Sequence, residues 1–196
     1  MALTLVKEDG TGKPDANSYA DVADGDAYHD GHLYATAWTA ATHARKEAAL
    51  VMATRLIVSQ FQFNGSRTSV SQALQWPRAE CPEPDSGLVT LSALLPILSN
   101  FVPYDSVPGA VVQATCEMAR ELLIADRTAS PPCEGVNTSQ TSHATHDASG
   151  GTSGMTSISY SKVDTRPIVS RVAQAMLEKF GALISGGGGA VRLVRA

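Results

Sequence analysis

THARKEAALVMATRLIVSQ, residues 42–60, contains neither glycine nor proline and repeats its apolar residues at helical spacing. Ala49, Leu50, Met52, Ala53, Leu56 and Ile57 share one broad face, while Lys46, Glu47 and Thr54 lie away from its centre. An apolar arc that wide predicts a helix buried between at least two partners. The domain is therefore read outward from this segment as mainly α.

Three further helices follow from the same pattern. Over 107–126, Val107, Val111, Ala114, Thr115, Met118, Leu122 and Ala125 form a stripe, and Pro108 suits a first turn. Gln113, Glu117, Arg120 and Glu121 form its wet side, with Glu117 and Arg120 in reach of each other. Over 18–33, Ser18 with Asp21 resembles a capping box, and Tyr19, Val22, Ala23 and Ala27 recur behind it. A last helix is capped by Asp164 or Thr165, holds Pro167 just inside, and carries Val169, Val172, Ala173, Met176, Phe180, Leu183 and Ile184.

Between these elements the chain is irregular. Residues 61–87 contain the turn signal Asn64-Gly65 and Trp76-Pro77, which cannot continue a helix. Residues 88–102 are apolar but carry Pro96, which predicts a broken helix or extended chain. Residues 128–154 have almost no apolar content, so no core forms there; they read as a linker or a loop ordered by a neighbour. Residues 155–163 alternate as a strand. The expected division is a helical core over 1–127, with helices at 18–33, 42–60 and 107–126. A polar insertion at 128–154 follows, then a strand plus C-terminal helix of the same domain at 155–185. A glycine hinge and extended arm close the chain at 186–196.

Charged residues are 17% of the 196, below the usual ~25%, and 15 Lys plus Arg stand against 19 Asp plus Glu. A sequence-blind nucleic-acid binder draws affinity from a basic excess, which this chain lacks globally. The charge is polarised: residues 1–30 hold two Lys and seven acids (−5), and residues 162–196 hold six cations and two acids (+4). Such ends suggest acidic and basic faces that meet on different molecules. No apolar run approaches the ~20 residues of a membrane span. Lys7, Glu8 and Asp9 interrupt anything like a signal peptide. Cys81, Cys116 and Cys133 are an odd, widely spaced set that suits a reducing compartment.

Candidate chemistry is sparse. His29 and His32 are three apart but lack a third ligand, and His143, His146 and Asp147 sit in the polar segment; both groups read as surface histidines. Gly10-Thr11-Gly12-Lys13 imitates the end of a phosphate loop, but Pro14 blocks the helix that would receive the phosphate. Asp21, Asp24, Asp26 and Asp30 read as a solvated acidic face. Phe61, Phe63 and Trp76 with Arg67 and Arg78 could form a stacking-and-cation surface for single strands. The preferred reading is a loop held to the core by aromatic anchors, with Tyr19, Phe63, Trp76 and Pro77 as its structural residues. No enzyme, cofactor or metal site is expected.

The segments EDGTGKPDANSYADVADGDAYHDG, KEAALVMATRLI, FNGSRTSVSQALQWPRAE, VPGAVVQATCEMARELL and GGGGAVRLVRA occur in this order. Together they resemble a family of tailed-bacteriophage proteins often labelled DnaT-like single-stranded-DNA-binding proteins. They are also similar to the helical head–tail connector proteins of long-tailed phages. The connector resemblance implies a four-helix, connector-like domain with long loops, a short strand or hairpin and an extended C-terminal arm. It implies a structural protein of the virion neck, made in the bacterial cytoplasm. It further implies a ring of about twelve copies, docked on the portal, supporting tail or second neck proteins and touching packaged double-stranded DNA without sequence preference. Residues 128–154 are longer than that family's usual connection. On this reading Ala190, Val191, Arg192, Leu193, Val194 and Arg195 would add a strand to a partner's sheet edge. The alternative function is a single-stranded-DNA-binding replication accessory.

Overall fold

The computed structural model describes residues 3–84, 101–129, 136–143, 154–160 and 167–184. The described part is helix-rich, with small two-stranded sheets. Contacts divide it into two units. One combines the described residues of Met1–Asp126 with those of Val169–Ala196, and the other lies within Arg127–Ile168.

In the larger unit the helices are α1 (Val22–Asp30), the single turn α2 (Thr36–Thr39), α3 (His43–Gln60), α4 (Gly109–Ile124) and α5 (Arg171–Leu177). Helix α4 is central, since α1, α2, α3 and α5 all pack against it. That enclosure changes the reading of its sequence. Glu117 and Arg120, expected on a wet side, are both buried, along with Cys116 and Ala119. Arg120 donates from Nη2 to Glu117 Oε1 at 2.6 Å and from Nε to Oε2 at 3.2 Å. The pair expected from sequence thus forms, but as an internal neutralisation and not a surface bridge.

Helix α3 begins and ends within a residue of expectation, and Leu50, Ala53 and Ile57 are buried on it. Thr54 is also buried, against expectation, because its hydroxyl serves the chain in front of α1. It accepts from the Tyr19 backbone N–H at 3.3 Å and donates to Ser18 Oγ at 3.5 Å. Ser18 therefore does not cap α1. Asp21 does, accepting from Asp24 N while Asp24 accepts from Asp21 N, so the capping box lies three residues later than predicted.

The C-terminal helix is shorter than its stripe suggested. Ser170 caps it, accepting from Ala173 N at 3.2 Å, and it stops at Leu177. Gly181–Leu183 then forms β6, antiparallel to β1 (Phe61–Phe63), with Gly181 opposite Phe63. A Cβ on Gly181 would run into Gln62 O and lie 2.8 Å from Phe63 Cα, so this crossing needs glycine. Asn64-Gly65 leads from β1 into β2 (Ser66–Arg67), which pairs antiparallel with β3 (Arg78–Ala79). Val102, at the edge of the apolar segment, is buried and donates from its N–H to Cys81 O; residues 85–100 lie outside the described part.

The smaller unit carries β4 (Val136–His143) antiparallel to β5 (Gly154–Tyr160), with Ser139 opposite Ile158 and Thr141 opposite Thr156. Part of the polar insertion is thus a strand, and the strand expected to continue into the last helix belongs with it. The Arg127 guanidinium donates to Pro167 O at 2.8 Å and Ile168 O at 3.2 Å, tying the two ends of this unit together. The hinge and arm, with Ala190–Arg195, lie outside the described residues.

Gly181→Ala is expected to cost about 1–3 kcal/mol of stability, the usual range for an overpacked site. Gly31→Ala, where the added methyl meets open space, should stay within about 0.5 kcal/mol. Urea unfolding of both variants checks the contrast.

Candidate nucleic-acid interface

The aromatic residues that could have stacked on bases are used up inside. Phe61, Phe63 and Trp76 are buried, with Phe63 edge-on to Trp76 at 5.7 Å and Trp76 edge-on to Phe180 at 6.1 Å. Pro77 is buried beside them, and the Trp76–Pro77 peptide is cis. Tyr19 is buried too, its hydroxyl accepting from Gln75 N at 3.1 Å and Trp76 N at 3.4 Å, and burial raises its pKa. Arg78 donates to the carbonyls of Asn64, Gly65 and Gln75, and burial lowers its pKa. Gln72 and Gln75 do similar work: Gln72 Nε2 donates to Leu74 O and Pro77 O, and Gln75 Nε2 to Val58 O and Phe61 O. Of the five residues considered for a stacking-and-cation surface, Arg67 alone is exposed.

The phosphate-loop imitation has an occupant of its own. Glu8 is buried, and its carboxylate accepts from Gly10 N and Gly12 N at 2.9 Å and from Lys13 N at 2.8 Å. The N–H groups that could have cradled an anion hold this side chain. Lys13 turns outward to Asp9 at 2.8 Å; that bond, with those from Thr11, holds the Asp9 carboxyl below its usual range.

The acidic helix is likewise engaged. Lys7 Nζ reaches Asp24 at 2.5 Å and Asp21 at 3.4 Å. Asp26 accepts from Lys46 Nζ at 2.6 Å and Trp38 Nε1 at 2.8 Å, and these bonds lower its pKa, Lys46 first. Of the solvated acidic face expected from sequence, Asp21, Asp24 and Asp26 tie α1 to the preceding chain and to α3, and Asp30 is exposed.

His29 and His32 part ways. His29 is buried between Tyr28 and Trp38, both with ring centroids at 4.9 Å, and Gly25 gives Trp38 the room a side chain would fill. Its Nε2 lies 3.2 Å from Cys116 O, a pure acceptor, so Nε2 carries the proton. Nδ1 is buried with no hydrogen-bond partner. His32 is half-buried, with Nε2 3.7 Å from Glu117 Oε2. Among the described residues, no group of three His, Cys, Asp or Glu is placed to hold a metal. Cys81 and Cys116 are buried thiols, and burial pushes Cys116 up to about 12.

What remains is cationic and outward. The exposed residues of α3 are His43, Ala44, Arg45, Ala48, Arg55 and Ser59, and two of these are arginines. Neither makes an ion pair among the described residues; Arg67 and Arg171 are exposed on the same terms. Arg45 lies in the first turn of α3, which holds no acid, and Thr42 offers no side-chain cap. A helix start favours negative charge, so cations there attract anions without an internal competitor. The signal lies in residues 42–60, outside the centre of the apolar arc.

These features define a small helix-rich domain that presents exposed arginines on α3. A family model matches residues 3–196, and the chain belongs to that family, described as "Putative DnaT-like ssDNA binding protein". No curated protein and no solved structure gave a significant match. The family match corrects the head–tail connector reading, and with it the portal, the tail or neck partner, the twelve-copy ring and the channel DNA. The resemblance ran through segments now seen to be internal supports, such as QALQWPR, which do not distinguish a connector from a DNA-binding protein. No described helix is long and apolar enough to cross a membrane.

Burial lowers the His29 pKa, against the raising effects of Cys116 O and Glu117. The unfolded chain therefore takes up this proton first. The stability His29 lends is complete above about pH 6.5, the ordinary histidine value, and is lost as pH falls through the lower folded value. Denaturation between pH 7 and pH 5 should show this slope in the wild type and a shallower one in His29→Phe.

Proposed function

We propose that this protein binds single-stranded DNA, without covalent chemistry. The observation that carries the reading is the family match across residues 3–196. The outer face of α3 supports it, because Arg45 and Arg55 are exposed there and make no ion pair among the described residues. Ten residues apart on a helix of 1.5 Å rise, their Cα atoms are separated by about 15 Å along the axis, which suits a strand that runs along the helix.

The net charge of −4 is not an obstacle to a local site. Of the seven acids in residues 1–30, Glu8 is spent on backbone N–H groups and Asp9, Asp21, Asp24 and Asp26 on lysines. Their fields are largely cancelled at close range and screened beyond about 8–10 Å at physiological salt. Among the described residues, Arg45 and Arg55 thus offer a phosphate backbone two exposed cations with no ion pair to displace.

Fluorescence anisotropy with a labelled oligo(dT) strand at several salt concentrations tests the proposal. Each phosphate contact on a single strand contributes about 0.7 to the slope of log K against log salt. The double variant R45A/R55A should bind more weakly and with a slope shallower by roughly 1.4. A wild-type protein that fails to shift the strand at low salt would sink the reading.

A further inference from the structure

We infer that Tyr34 is a base-stacking platform that takes an unpaired nucleobase. The inference rests on the single-stranded-DNA reading and adds to it the atoms that would recognise a base and not a phosphate.

Tyr34 lies in the short connection between α1 and α2 and is 76% exposed; Leu33 beside it is 92% exposed. Exposure alone says little, but this ring is held. The Tyr34 backbone N–H donates to His32 Nδ1 at 3.0 Å, closing the turn. The Tyr34 ring stands edge-on to His32 at 6.3 Å. His32 in turn stands edge-on to His29 at 5.8 Å, and His29 lies against the buried Trp38 at 4.9 Å. A continuous run of rings thus leads from the core to an aromatic face in solvent. Tyr28 flanks it, 6.4 Å from His32.

Holding a large ring out in water forgoes the burial that aromatic side chains usually gain. A ring already fixed loses little freedom when a flat partner stacks on it. Every base offers such a partner, whatever its identity. The local charge points the same way. Glu117 beneath His32 is neutralised by Arg120, so the ladder offers a phosphate no free cation but leaves a base unopposed. Size argues against a protein partner: a stable interface takes about 800 Å² a side, and here two exposed side chains stand together. Tyr104, 69% exposed, has no ring neighbour among the described residues and serves as a control.

The test is oligo(dT) binding by Tyr34→Ala, Tyr34→Trp and Tyr104→Ala in the full chain. Stacking is worth enough per base that Tyr34→Ala should weaken binding about 5- to 140-fold. The salt slope should not change, because no phosphate contact is lost. Tyr34→Trp should retain affinity, Tyr104→Ala should match the wild type, and an abasic strand should bind Tyr34→Ala and wild type alike. Tyr34 is exposed, so the variants fold, which thermal melting verifies. If the wild type binds and Tyr34→Ala stays within about two-fold of it, well short of a stacked base, the inference fails while the DNA reading stands. An equal loss on the abasic strand would likewise overturn stacking. No binding by the wild type overturns both.

Discussion

Helix α4 is enclosed on several sides, and a charged pair sits in that enclosure. Glu117 and Arg120 lie a turn apart on the helix, where only mutual neutralisation makes their burial tolerable. The guanidinium meets the carboxylate through two bonds, and a further bond reaches Glu121 at 2.8 Å. This pair raises the Arg120 pKa through its bond to Glu117. The packing around it follows. Helix α1 brings His29 onto the Cys116 carbonyl and His32 toward Glu117. Trp38 of α2 then closes over His29. The pair is a poor source of net stability, and because both partners lie on α4 it travels with the helix; removing either side chain would leave the other as a lone buried charge.

The irregular chain obeys a second condition. A buried loop must find partners for backbone groups that no helix or strand satisfies. Between β1 and β3 those partners are the side chains of Gln72, Gln75 and Arg78, with the Tyr19 hydroxyl added from the chain before α1. In residues 8–13 the partner is Glu8. These polar residues are fixed by accounting for backbone donors and acceptors and are unavailable to a ligand. A memorable motif can therefore mark architecture and not a ligand site.

Periodicity made α3 and α4 legible, because long segments without glycine or proline leave few alternatives. It placed the start of α1 and both ends of α5 wrongly, for reasons outside the pattern. Ser18 found an acceptor in Ala20 O, leaving Asp21 to cap. Gly181 allowed β1 to approach and turned the end of the apolar stripe into a strand. Glu117, Arg120 and Thr54 look solvent-facing from their own helix, and only neighbouring helices bury them. In the candidate site, Phe61, Phe63 and Trp76 read as anchors and are buried. The exposed arginines of α3 and the ladder ending at Tyr34 depend on which face tertiary packing leaves open.

The same distinction resolves the acidic balance of the chain. A formal charge counts every group equally, yet a DNA strand responds to charges left unpaired at the surface it meets. Asp21 and Asp24 face Lys7, Asp26 faces Lys46, and Asp9 faces Lys13, each within 3.4 Å. These pairs use three of the lysines as well as the acids, so they subtract from both sides of the ledger near α1. Arg45 and Arg55 lie outside that exchange. The exposed arginines of α3 and its acid-free first turn thus carry a local charge opposite in sign to the formal −4 of the whole chain.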